Sequence, residues 1–189
     1  MSSINGKKKI VHIHIPKTGG TSLEATGLFG TPIIRHHTLQ FYIDLYQYDD
    51  RINLDDYFKF AFVRNPYDKF ASGVLNHILD RGALEPVKDK RKQFNDFILE
   101  NNDKFGLWIM THPQYKFVEV NGKVGVDFIG KMENMAEDWR KICDIIGVKV
   151  NVGHKNKSGR KYDSIYTPET KAIVREYYKR DFELFNYPI

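Results

Sequence analysis

Two short stretches of the chain combine residue types that can handle an anion. Residues 13–23 read "IHIPKTGGTSL" and residues 60–73 read "FAFVRNPYDKFASG". In the first, an apolar run passes through Pro16 and Lys17 into Gly19 and Gly20, then into two hydroxyl residues. Glycines let a backbone come close to a ligand, and N–H groups left unsatisfied at a helix start attract negative charge. Gly19, Gly20, Thr21 and Ser22 are therefore candidate N–H donors, and the hydroxyls of Thr21 and Ser22 add to them. Lys17 and Thr18 would stand at the carboxyl end of the preceding strand, where ligands sit in open α/β sheets. The lysine comes before the glycines. A nucleoside triphosphate loop, G-x-x-x-x-G-K-[ST], and a dinucleotide fingerprint, G-x-G-x-x-G, are both absent from this stretch. An ordinary glycine turn with a surface lysine is the alternative.

In the second stretch Arg64 closes an apolar run, Asn65 and Pro66 follow, and Ser72 comes eight positions later. A guanidinium at a strand end can hold a second phosphate through its fork of N–H donors. The Ser72 hydroxyl would reach the same anion from a helix face. Alternatively Arg64 pairs with Asp68 as an ion pair at a helix start.

The elements that must position these residues follow from pattern. Residues 10–15 alternate a β-branched residue with His and predict a strand, with a helix opening directly after the glycines over 21–28. Residues 37–46 carry apolar positions at helical spacing, and 57–64 predict a second strand closed by Asn-Pro. Pro66 to about Leu79 reads as helix with Pro in its first turn. "EPVKDKRKQ", residues 85–93, reads as a solvated charged linker before a helix at "FNDFILEN". Two short strands flank the Asn121-Gly122 turn signal, a helix runs from Asn134 to Ile146 and ends at Gly147, and a last helix starts at the Thr167-Pro168-Glu169 cap. Strands separated by helices predict an α/β fold: three layers, with a mainly parallel central sheet flanked by helices.

The 189 residues suffice for one domain spanning 1–189 that buries a core without disulfides or metals. The net charge of +5 favours an anionic partner without saying which. Cys143, the only cysteine, lies in a helical apolar pattern and reads as a buried thiol, so no disulfide framework or cysteine zinc site can be built. No metal is expected. No apolar run approaches the ~20 residues of a membrane span, and "MSSINGKKKI" has no apolar signal core, so a cytoplasmic protein is expected. The aromatics fall at core spacing rather than among Lys and Arg, which speaks against nucleic acid.

Taken together, "PKTGGTSL" and "VRNPYDKFASG" resemble the sulfotransferase superfamily that uses 3′-phosphoadenosine 5′-phosphosulfate (PAPS), in particular its carbohydrate-sulfotransferase-like branch. "VDFIGKMENMAEDW", 126–139, and "YYKRDFELFNY", 177–187, resemble further segments of that branch. The resemblance implies a P-loop-NTPase-like sulfotransferase fold, PAPS as co-substrate and the desulfated bisphosphate PAP as product. The first motif would bind the 5′-phosphosulfate and the second, with Arg64 and Ser72, the 3′-phosphate. Lys17 would then neutralise the bridging oxygen as it leaves, and the family needs no magnesium. The acceptor implied is a carbohydrate or small hydroxyl compound, or an amine.

By the same resemblance, a histidine or an acid ahead of the second donor strand serves as base. "IIRHHTLQF" offers His37, with His36 beside it, and Glu24 on the first helix is a rival. The basic loop "HKNKSGRK", 154–161, matches in position a late loop that folds over the donor, through Lys157, Ser158, Gly159 and Arg160; alternatively it is simply solvated, or it meets an anionic acceptor. Two other functions stay open at this level: a module that binds PAP or PAPS without turnover, and a small nucleotide-kinase-like phosphotransferase. The oligomeric state is not legible.

Overall fold

A computed structural model describes residues 4–29, 36–79, 89–153 and 162–189, with the backbone alone at His77 and Ile78. In chain order the strands are β1 (Ile4–Asn5), β2 (Ile10–Ile13), β3 (Phe58–Val63), β4 (Glu119–Val120), β5 (Lys123–Val124) and β6 (Phe128–Lys131). The helices are α1 (Gly20–Glu24), α2 (Leu39–Tyr46), α3 (Pro66–Gly73), α4 (Lys90–Glu100), α5 (Tyr115–Val118), α6 (Met135–Ile146), α7 (Pro168–Tyr177) and α8 (Lys179–Leu184). The described residues fall into two compact units. One is drawn from Met1–Val63 and Gln114–Lys157, the other from Arg64–Pro113 and Ser158–Ile189.

The first unit is built on a sheet in the order β1-β2-β3-β6. β2, β3 and β6 run parallel, with His12 in register with Phe60 and Phe62 with Gly130, while β1 pairs antiparallel with β2. The fold is therefore α/β, with a mainly parallel sheet and helices against it. Every residue of β2 is buried, which suits a parallel strand covered on both faces. Leu23 of α1 and Trp139, Ile142 and Cys143 of α6 pack with Ile10, Phe60 and Phe62 into one core. Burial of each large apolar side chain there contributes about 1.5–3 kcal/mol. Trp139 also donates from Nε1 to the Val150 carbonyl at 2.7 Å, and α6 ends at Gly147 with φ of 65°. The Asn121-Gly122 turn joins β4 to β5 with both residues at positive φ, as the hairpin signal predicts.

The second unit is helical around an aromatic core that includes Phe70, Phe94, Phe105, Tyr166, Tyr178 and Phe182. Asn65 caps α3, its Oδ1 accepting from the amides of Tyr67 and Asp68 at 3.0 and 3.4 Å, and Pro66 takes the first turn. Lys69, fully buried, donates from Nζ to the carbonyls of Met110 and His112 at 3.1 and 2.7 Å. Thr167 caps α7 in a reciprocal box with Thr170.

Four expectations need correction. The helix after the glycines stops at Glu24 rather than running to residue 28. The helix from Pro66 is α-helical only to Gly73, and Val74–Leu79 widens into π-type winding. The described part of the charged linker is not a linker: Asp89 accepts from the Lys92 amide and α4 starts at Lys90, so these charges are a helix's solvated first turn. The last helix breaks at Tyr178, whose hydroxyl is drawn to the Thr111 carbonyl.

Candidate functional site

In the first unit, β2 runs out at Ile13 and the chain turns through Pro16 into the glycines. Lys17 has φ of 68° and Gly19 φ of 87°. The left-handed region is free for glycine but costs a lysine about 1–2 kcal/mol, and such strain collects at functional loops. Thr18 is fully buried and its hydroxyl donates to the Ile15 carbonyl at 2.9 Å, so that side chain holds the loop's shape. The Ser22 amide bonds the Gly19 carbonyl at 2.9 Å and is committed within the turn. Of the four amides expected as donors, those of Gly19, Gly20 and Thr21 make no such turn bond among the described residues. Ser22 itself is 8% exposed, and Thr21 is exposed.

Beneath this loop lies a column of histidines, of which the sequence pattern names only His36 as a site candidate. The His12 ring stacks on Phe60 with centroids 5.0 Å apart and on His14 at 5.4 Å, and His36 meets His14 edge-on at 4.6 Å. His14 Nδ1 is 3.1 Å from Glu24 Oε1, and its Nε2 faces Gly20. Glu24, the acidic rival for the base, is therefore engaged at the underside of the loop. His12 is buried, with Nε2 lacking a hydrogen-bond partner among the described residues. Burial, and secondarily the nearby His14 and His36, push its pKa well below the usual histidine value.

The two histidines of "RHHT" differ in circumstance. His36 adopts φ of 69° and its Nδ1 contacts the His14 carbonyl at 3.1 Å. His37 stacks face to face on Phe41, centroids 3.7 Å apart, just ahead of the Thr38 cap of α2. Its Nε2 is buried without a hydrogen-bond partner among the described residues, and burial lowers its pKa. A neutral ring with an uncommitted nitrogen is what a general base needs.

In the second unit, Arg64 follows β3 directly and is 3% exposed, its guanidinium carbon 5.7 Å from the centre of the Tyr162 ring. Asp68 Oδ1 accepts from the Tyr162 amide at 2.7 Å, which fixes that carboxylate on backbone. Ser72, 5% exposed, is contacted by the Asn76 side chain. Lys157, Ser158, Gly159 and Arg160 lie outside the described residues. Cys143 is buried, as its pattern predicts, and burial raises its thiol pKa. Among the described residues, no cluster of three or more His, Cys, Asp or Glu is placed to hold a metal ion, and no helix is long and apolar enough to cross a membrane.

A model of the sulfotransferase family matches residues 2–188. An uncharacterized protein of Archaeoglobus fulgidus is 35% identical over 97 residues, which make up 50% of this chain and 71% of that protein. No solved structure matches the chain at a significant level.

Proposed function

The chain belongs to the sulfotransferase family, and on that premise we propose that it moves a sulfuryl group from PAPS to a hydroxyl or amine acceptor, a carbohydrate above all. The observation that carries this reading is the loop between β2 and α1. There Lys17 and Gly19 are both held at positive φ, and the amides of Gly19, Gly20 and Thr21 make no turn bond among the described residues, which supports a place for an anion.

In this reading residues 1–189 act as one sulfotransferase domain. The loop amides, with Thr18 and Ser22 shaping the turn, take the 5′-phosphosulfate. Arg64 and Ser72 take the 3′-phosphate, and Lys157, Ser158, Gly159 and Arg160 contribute to nucleotide binding. His37 removes the acceptor's proton as the acceptor oxygen forms its bond to sulfur. The bond from sulfur to the bridging oxygen breaks, and that oxygen leaves on the 5′-phosphate of PAP. Lys17 neutralises the charge arriving there, a role in which one well-placed donor contributes about 3–4 kcal/mol. No metal takes part in these steps.

Calorimetric titration with PAP and with magnesium-ATP tests the donor, using Lys17→Ala and Arg64→Ala beside the parent protein. PAP binding that collapses in Arg64→Ala supports the reading, while preference for magnesium-ATP overturns it in favour of a phosphotransferase. Transfer of labelled sulfate from PAPS across a panel of glycans and small alcohols then separates an enzyme from a protein that only binds the nucleotide.

A further inference from the structure

Ser72 is 5% exposed, and its hydroxyl oxygen has one partner among the described residues. That partner is Asn76, whose Nδ2 lies 3.3 Å from Ser72 Oγ and 2.9 Å from the Ser72 carbonyl oxygen. A side-chain amide nitrogen can only donate. The Ser72 oxygen is therefore the acceptor in this contact, and its own O–H proton is left over. Serine hydroxyls inside helices ordinarily send that proton to the carbonyl one turn back. Ser72 makes no such bond to Asp68. Asn76 belongs to the π-type run Val74–Leu79 and bonds back to the last turn of α3, while the residue itself is exposed.

We propose that Asn76 is a positioning residue for Ser72 and thereby a specificity determinant for the phosphorylated end of the donor. One lone pair of Oγ is occupied by the Asn76 N–H, so the tetrahedral oxygen directs its proton away from Asn76 and presents a donor. A donor suits a group that only accepts, such as a phosphate dianion. It suits a ribose hydroxyl less, because a hydroxyl must also place its own proton. A site built around such a bond discriminates strongly against a ligand lacking the matching group. The proposal rests on Arg64 and Ser72 binding the 3′-phosphate, as proposed above.

The test is titration of the parent protein, Asn76→Ala, Asn76→Asp, Ser72→Ala and the Asn76→Ala/Ser72→Ala double variant. Each is titrated with PAP and with adenosine 5′-monophosphate, which lacks the 3′-phosphate. Asn76 is exposed, so its variants keep the core intact, and thermal melting verifies this. The parent should prefer PAP. Asn76→Ala should weaken PAP about 3–10-fold, the loss of one neutral hydrogen bond, and leave the monophosphate affinity where it was. In the Ser72→Ala background the same substitution should have no further effect. Asn76→Asp should weaken PAP more, because a carboxylate accepts the Ser72 proton and repels the phosphate.

An unchanged PAP-to-monophosphate ratio in Asn76→Ala overturns this proposal and leaves the 3′-phosphate reading standing, as does an equal loss with and without Ser72. A parent protein that does not distinguish PAP from the monophosphate overturns both.

Discussion

The Nε2 of His14 occupies the space in which a side chain at position 20 would begin: a β-carbon on Gly20 would stand 2.0 Å from it. The ring cannot easily retreat, because its Nδ1 is held at 3.1 Å by Glu24 and its face is packed on His12. The glycine is thus required by a close approach from below, while Gly19 is required by its backbone angle. Gly20→Ala should cost about 1–3 kcal/mol, the range for overpacking a filled site, and should weaken PAP binding by distorting the loop. His14→Ala combined with Gly20→Ala should recover part of that stability. Urea denaturation of the two single variants and the double measures it, and strictly additive losses would show that the two side chains do not compete for this space.

Lys17 is asked to do two things that substitutions can separate. In the proposed reaction it contributes to rate as an electrophilic group, and as a non-glycine residue at positive φ it strains the loop. Lys17→Ala and Lys17→Gly should both lower kcat by about 10²–10³-fold. Lys17→Gly should nevertheless be the more stable of the two by about 1 kcal/mol, because glycine is at ease where alanine is not. Equal melting temperatures would indicate that the loop relaxes around any residue at 17.

The pH profile of transfer should carry the signature of His37. Burial disfavours the imidazolium, so its pKa lies below the ordinary 6.5. A base must be neutral to act, so the acid limb of kcat/KM should have its midpoint below pH 6.5. His37→Gln should abolish most of the rate and remove the acid limb. An acid limb that survives in His37→Gln at residual activity would assign the base elsewhere, with His36 and Glu24 next in line.

His12 predicts a separate effect on stability. Its pKa in the folded protein is depressed below the unfolded value, so the unfolded chain binds the extra proton as the pH falls. The stability this ring allows is fully present above about pH 6.5 and declines as the pH drops below it, at up to about 1.4 kcal/mol per pH unit. His12→Phe fills a place already stacked on Phe60 and tilted against Phe29 and cannot be protonated. The variant should lose less stability than the parent between pH 6.5 and pH 5 in chemical denaturation, and parallel pH curves would contradict the assignment.

Local chemistry made much of the fold legible. Asn65 and Pro66 announce the start of α3, Thr167 and Pro168 that of α7, and Gly147 the end of α6, because each of these residues acts on its own backbone. The strand pattern of residues 10–15 and 57–64 locates β2 and β3 to within a residue or two, since both are buried over most of their length. What stayed illegible depends on partners distant in sequence. The break between α7 and α8 has neither Gly nor Pro. It is set by buried Tyr178, whose hydroxyl bonds the Thr111 carbonyl 67 residues away. The run Lys90–Gln93 reads as a linker only when its caps are ignored: Asp89 closes its first turn and the Lys92–Asp96 ion pair sits one turn on. At the candidate site, the motifs point to Lys17 and Arg64. The support that His14 gives the loop through Glu24, and Asn76 gives Ser72, has no motif to mark it.

The π-type run after α3 makes the chain one residue generous per turn between Gly73 and Leu79. A surplus of that kind sets the phase of everything downstream on the helix. Deleting a single residue between Ser72 and Asn76 would allow ordinary α-winding to resume, with each side chain beyond the deletion rotated about the axis by about 100°. Asn76 would then no longer look back at Ser72, although neither residue had been replaced. In this segment chain length itself is a variable on which natural or laboratory selection could act: a one-codon deletion would change which side chain stands over the Ser72 hydroxyl and leave the cap at Asn65 untouched.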